Sequence, residues 1–98
     1  MKESKVPRVP AVMRGLQILE LLAGEKKRWT TTEVSRKLKI PKSTTSYLLH
    51  TLLASGYLVR EEDGFYRLGM KLLALGGQAL RGIELREVAV PRLRRLTA

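Results

Sequence analysis

The sequence has no cysteine, a single histidine and only five aromatic residues among 98. Lack of cysteine excludes disulfides, thiolate zinc sites, iron–sulfur clusters and a cysteine nucleophile, and it fits a reducing compartment. The scarcity of aromatics points to an aliphatic core, for which the 44% hydrophobic content is sufficient. No apolar run approaches the roughly 20 residues needed to cross a bilayer, so no membrane partner is expected. Residues 1–10 are polar and basic with no apolar stretch behind them, unlike a signal peptide. Acid is also scarce. Nine Asp and Glu stand against 19 Lys and Arg, a formal net charge of +10 on a chain long enough for one ordinary domain. That balance makes a polyanion the first partner to consider, the alternative being a solubility charge spread over the surface.

The chain offers little for catalysis. No carboxylate is expected beside His50, and there is no metal-ligand spacing, phosphate-binding loop or nucleophile–base pair. The reading is therefore not an enzyme, with no cofactor or metal. RNA binding lacks an aromatic stacking platform.

The positive charge is uneven. Residues 1–56 hold 11 basic and 4 acidic residues, a balance of +7, and residues 57–98 hold 8 and 5, a balance of +3. Prolines and glycines divide the chain. Pro10 suits the first turn of a helix whose apolar face is Val12, Leu16, Leu19 and Ala23, stopped by Gly24 in the left-handed conformation. Gly15 within it serves close packing or is incidental. Thr30 and Glu33 form a capping box for a helix over 31–38. After a tight connection at Lys39-Ile40, Pro41 opens a third helix that runs to about Ser55 and stops at Gly56. Two β-prone runs, 57–60 and 65–68, flank an Asp63-Gly64 turn and make a hairpin. Met70, Leu73, Gly77 and Leu80 then share a helical face. Helix, helix, tight turn, helix and hairpin make a mainly α fold with a small β-hairpin, the winged helix-turn-helix. The expected organisation is a flexible basic leader (1–9), a winged helix-turn-helix domain (10–69), a further helix (70–82) and an amphipathic segment at 83–98.

At 100° per residue, Thr45, Leu48, Leu49, Leu52 and Leu53 make the inward arc of the third helix. Ser43, Tyr47, His50 and Ala54 face the other way, with Lys42, Thr44, Ser46 and Thr51 on the shoulders. No acid occurs from 42 to 55. Hydroxyls, a phenol and an imidazole are poor choices for a plain solvated helix face, but they suit close approach to a duplex and hydrogen bonding in its grooves. The competing reading has Ser and Thr capping the helix start and Tyr47 packing on a neighbour. Other candidates are Thr30 at the start of the second helix, which caps or binds a phosphate, and Lys27 and Arg28 in a basic loop. Arg60 and Arg67 on the wing arms complete the set. The acidic tip, Glu61-Glu62-Asp63, speaks against inserting the wing between phosphates. Lys2, Lys5 and Arg8 make either a minor-groove arm or an untethered leader.

With Pro41-Lys42-Ser43-Thr44, Leu48-Leu49 and Gly56-Tyr57 in order, the chain resembles the DNA-binding domain of IclR-type transcriptional regulators. Further matching pieces are Val9-Pro10-Ala11-Val12, Thr30-Thr31-Thr32-Glu33-Val34, Tyr66-Arg67-Leu68-Gly69, Lys71–Gly76 and Leu85–Leu93. The resemblance implies a prokaryotic, cytoplasmic homodimer that binds a pseudo-palindromic double-stranded DNA operator through helix three and the wing. It implies that 70–82 is a linker helix and 83–98 the start of a truncated effector-binding domain, with dimerisation through helix one and the linker helix and a small-molecule effector bound only by the missing C-terminal domain. Thr45 stands where the family usually has a small aliphatic residue, so its methyl must serve the core. Tyr47 stands where Arg or a similar residue is common, so the family's operator preferences do not transfer. The alternative from another class is a winged-helix protein–protein interaction module without DNA readout.

Overall fold

Helix α1 spans Pro10–Leu22, with Pro10 at a position whose amide needs no intrahelical partner. The computed structural model describes residues 8–83. The expected roles of Lys2 and Lys5 and the expected helix at 85–93 lie outside the described residues. Helix α2 (Thr31–Leu38) and helix α3 (Lys42–Ala54) follow, then strands β1 (Leu58–Arg60) and β2 (Tyr66–Leu68), then helix α4 (Met70–Arg81). Among the described residues no helix is long and apolar enough to cross a membrane.

The capping box is formed: Glu33 N donates to Thr30 Oγ1 at 3.2 Å, and Thr30 N donates to Glu33 Oε1 at 3.0 Å. The tight turn between α2 and α3 is built without glycine. Lys39 takes the left-handed conformation (φ 58°), which costs a non-glycine residue about 1 kcal/mol. The buried Ile40 carbonyl accepts from Ser35 Oγ at 2.5 Å, and Ile40 N donates to Ser35 O at 3.1 Å. Thr45 is fully buried, and its hydroxyl donates to Pro41 O at 3.0 Å, so the methyl fills the core without orphaning the oxygen.

The hairpin pairs Leu58 with Leu68, Val59 with Arg67 and Arg60 with Tyr66. Gly64 (φ 91°) supplies the turn, closed by Glu61 N to Phe65 O at 2.8 Å. At its base Gly56 (φ 90°) ends α3, and Gly69 packs so tightly on it that a Cβ at 69 would lie 2.8 Å from Gly56 O.

The core joins Ile18 and Leu22 of α1, Val34 of α2, Leu48 and Leu49 of α3, Leu58 of β1 and Tyr66 of β2, with Trp29 from the α1–α2 loop. Three expectations need correction. The core is not wholly aliphatic. Trp29 forms an antiparallel bridge with Tyr66, and both rings are buried. The buried stripe of α1 is Ile18 and Leu22, whereas Val12 and Leu16 are 59% and 52% exposed. The helix is apolar on more than one stripe, and periodicity alone cannot choose between them. Finally, α1 ends at Ala23 in the right-handed region, and Gly24 has no positive φ.

Candidate nucleic-acid interface

Helix α3 is fixed from behind. Its inward arc of Thr45, Leu48 and Leu49 is buried against α1, α2 and β1. This leaves Lys42, Ser43, Ser46, Tyr47 and His50 exposed on the opposite side, with Thr44 half-buried at the edge. Tyr47 is 75% exposed, so among the described residues it is not buried against a neighbouring element. The side chains of Lys42, Ser43, Thr44, Ser46, Tyr47 and His50 make no hydrogen bond to another described residue. On the shoulder of this face Thr51 turns its hydroxyl onto Tyr47 O of the helix's own backbone. At the helix start Pro41 offers no side-chain cap, and the first turn has no acid. The α3 N-terminus therefore presents free amides and positive dipole beside the hydroxyl-rich face.

The remaining candidates are placed differently. Thr30 has its amide and hydroxyl oxygen tied into the capping box, with Lys26 Nζ 3.2 Å from Glu33 Oε2 behind it. The Thr30 amide, followed by Lys26, holds the Glu33 carboxyl below its usual range. The α2 N-terminus already has an anion of its own. Lys27 donates to Ala23 O at 3.1 Å and caps the end of α1. Arg28 donates through Nε to Glu61 Oε1 at 2.6 Å and through Nη2 to Asp63 Oδ2 at 2.5 Å, and it lies 4.3 Å over the Phe65 ring. Arg67 donates through Nε to the other Glu61 oxygen at 3.1 Å. Hydrogen bonds from Arg28 and then Arg67 keep the Glu61 carboxyl below its ordinary value. Arg60 lies 5.8 Å over the Tyr66 ring and has no carboxylate partner among the described residues.

The acidic tip, expected only to repel phosphates, engages Arg28, which lies 33 residues before Glu61 and 35 before Asp63. The one signal was Trp29, a lone β-prone tryptophan before the cap. Its bridge to Tyr66 carries Arg28 to the wing.

Beside the α3 face lies an open apolar groove of about 450 Å³, walled by Val12, Gly15 and Leu16 of α1 and Tyr47, Leu48 and Leu52 of α3. No atom lies within 4 Å of a Cβ built at Gly15, so this glycine makes no close approach within the chain. Helix α4 buries none of its residues, and Met70 and Leu73 are 74% and 68% exposed.

A buried-backed third helix after a tight turn, followed by an antiparallel hairpin, defines a winged helix-turn-helix module. Residues 11–62 match the family model of the IclR helix-turn-helix domain. The chain belongs to the IclR family of helix-turn-helix transcriptional regulators. It is 38% identical over 85 residues to the HTH-type transcriptional regulator XynR of Escherichia coli, covering 86% of this chain and 34% of that protein. It is 35% identical to the regulator KdgR of Dickeya chrysanthemi, covering 92% and 30%. The crystal structure of an IclR transcriptional regulator from Alicyclobacillus acidocaldarius superposes with a TM-score of 0.81 at 28% identity, covering 94% of this chain and 38% of that one. One from Brucella abortus gives 0.75 at 35% identity, covering 86% and 32%. The chain thus spans about a third of the length of the curated relatives it matches.

Proposed function

We propose that this chain is the DNA-binding part of a dimeric, cytoplasmic transcriptional regulator that reads a pseudo-palindromic duplex operator with α3 in the major groove. The observation that carries the reading is the outward face of α3: exposed, acid-free, free of internal hydrogen bonds and next to an uncapped helix N-terminus. Ser43, Tyr47 and His50, with Ser46 and Thr44 at the edges, meet base edges. Lys42 and the first amides of α3 meet phosphate, and Arg60 reaches the backbone from the wing. Lys27 and Thr30 add phosphate contacts only in so far as their capping bonds leave hydrogens free. Arg28 and Arg67 must first leave their carboxylates.

The alternative, a protein-interaction module, draws on the α1–α3 groove and on bare α4. Both surfaces suit a second copy of the chain, which would set two α3 helices about one DNA turn apart, roughly 34 Å. We assign any small-molecule effector to a part of the full regulator outside this chain. Selection of bound duplexes from a random pool tests the reading. Enrichment of a symmetric pair of half-sites separated by about one turn is expected, with affinity falling steeply as salt rises. No enriched sequence at moderate salt would move the assignment to the protein-interaction module.

A further inference from the structure

The wing holds three of the nine acidic residues of a chain with net charge +10, and two of them, Glu61 and Asp63, are paired with arginines. The Trp29–Tyr66 bridge is antiparallel, so one residue beyond it Arg28 stands opposite Arg67. Two like charges directly across a ladder repel. Glu61 resolves this by using both carboxylate oxygens, one 2.6 Å from Arg28 Nε and the other 3.1 Å from Arg67 Nε. Asp63 takes a second nitrogen of Arg28, and Phe65 covers the guanidinium from one side. Two arginines and two carboxylates cancel, and the wing offers a polyanion no net charge from this set. The pairs are about half exposed, so they add little to folding stability. Their larger consequence is for what the arginines can touch.

We propose that Glu61 is a specificity determinant: by bridging Arg28 and Arg67 it withholds both guanidinium groups from DNA phosphates and keeps sequence-independent affinity low. Phosphate contacts raise affinity for every duplex alike, whereas base contacts separate one duplex from another. A domain that restrains its wing arginines depends correspondingly more on the α3 face. The inference rests on the DNA-binding reading above.

The test compares Glu61→Gln with Glu62→Gln in the full chain. Each removes one negative charge, but Glu62 is in none of the ion pairs formed among the described residues. Affinity for the duplex selected from the random pool and for a random-sequence duplex is measured across a salt series. Glu61→Gln should raise random-duplex affinity on the order of tenfold and steepen the slope of log K against log salt by about 0.9 for each arginine released. The ratio of selected to random affinity should fall. Glu62→Gln should leave the slope within about 0.3 of the parent, since it frees no phosphate-binding group. Adding Arg28→Ala and Arg67→Ala to Glu61→Gln should return the slope to the parental value, an outcome that a purely structural role for the pairs does not produce. Equal slopes for the two glutamine variants would overturn the proposal while leaving the DNA-binding reading intact. Failure of the parent chain to bind any duplex in a salt-dependent way would overturn both.

Discussion

The outward face of α3 and the wing beside it are both polar and exposed, yet they handle their hydrogen-bonding groups in opposite ways. On α3 the outward side chains of Lys42, Ser43, Thr44, Ser46, Tyr47 and His50 make no hydrogen bond to another described residue, and the buried arc behind them holds them in position. In the wing and the loop that bridges to it, Lys27, Arg28 and Arg67 are already bound to partners in the chain. Charge content alone would rank these regions the other way round. The +10 balance points to a polyanion partner, but in the proposed reading the largely uncharged α3 face is where sequence is distinguished, because each well-placed base contact separates the right base from the wrong one by about 1–3 kcal/mol. The largest effect should therefore come from breaking the α3 face. Replacing Ser43, Tyr47 and His50 together by Ala should lower discrimination between selected and random duplex by more than about 100-fold, with little change in melting temperature. Unchanged operator affinity in a binding assay would mean that the recognition face lies elsewhere.

The second contrast is between two glycines. Gly69 anchors the wing to the end of α3, and a Cβ there would meet Gly56 O at 2.8 Å, backbone that cannot rotate away. Gly69→Ala should cost about 2 kcal/mol in a denaturant titration, the range of overpacked sites. Gly15 on α1 is the reverse, since an added Cβ enters open groove. Gly15→Ala should stabilise an isolated chain by up to about 1 kcal/mol through helix propensity. If a second copy fills the groove, the same change should weaken self-association in sedimentation equilibrium. A gain in monomer stability with no change in association would place the dimer contact away from α1 and α3.

The helices and the hairpin were legible in the sequence because local signals agreed with the global fold. The Thr30–Glu33 box, Pro41, Gly56 and Asp63-Gly64 each mark a boundary that the backbone respects. The inward and outward faces of α3 were legible for the same reason, as one stripe is aliphatic and the other is not. Helix α1 resisted because Val12, Leu16, Ile18, Leu19 and Leu22 offer more than one apolar stripe, and only tertiary packing selects Ile18 and Leu22. The left-handed Lys39 resisted because the usual signal for that conformation is glycine, and here Ser35 and the Ile40 carbonyl hold the turn instead. The candidate site divided along the same line. Its contiguous part could be drawn on a helical wheel. The commitments of Arg28 and Arg67 depend on a bridge between residues 29 and 66, whose pairing no short-range pattern specifies even though Trp29 itself stands out.

A smaller effect separates the wing arginines from one another. Arg60 has a ring beside it but no carboxylate, whereas Arg67 is paired to Glu61. Arg60→Ala should reduce the slope of log K against log salt by about 0.9, the loss of one phosphate contact, and weaken all duplexes alike. Arg67→Ala should change the slope by less than about 0.3, because a paired arginine releases few counterions. Equal slopes for the two variants would show that DNA breaks the Glu61 pair on binding.

The smallest effect is a response to acid, and it distinguishes the two regions without DNA. Hydrogen bonds from Arg28 and Arg67 hold the Glu61 carboxyl below its ordinary value of 4.5. A carboxyl depressed in the fold relative to the unfolded chain contributes stability that is fully present above the ordinary value and lost as pH falls through the depressed one. The wing should accordingly be unaffected by titration from neutral pH down to about 4.5 and loosen only below it. Amide exchange at Phe65 and Arg67 would rise there as Arg28 loses its carboxylate partners. Helix α3 contains no carboxylate, so exchange within 45–53 should stay flat over the same acid window once corrected for intrinsic rates. In Glu61→Gln the wing's step should shrink to what Asp63 alone supports. A parallel rise in both regions would mean that the domain opens as one unit and that the ion pairs do not set the wing's position independently of the core.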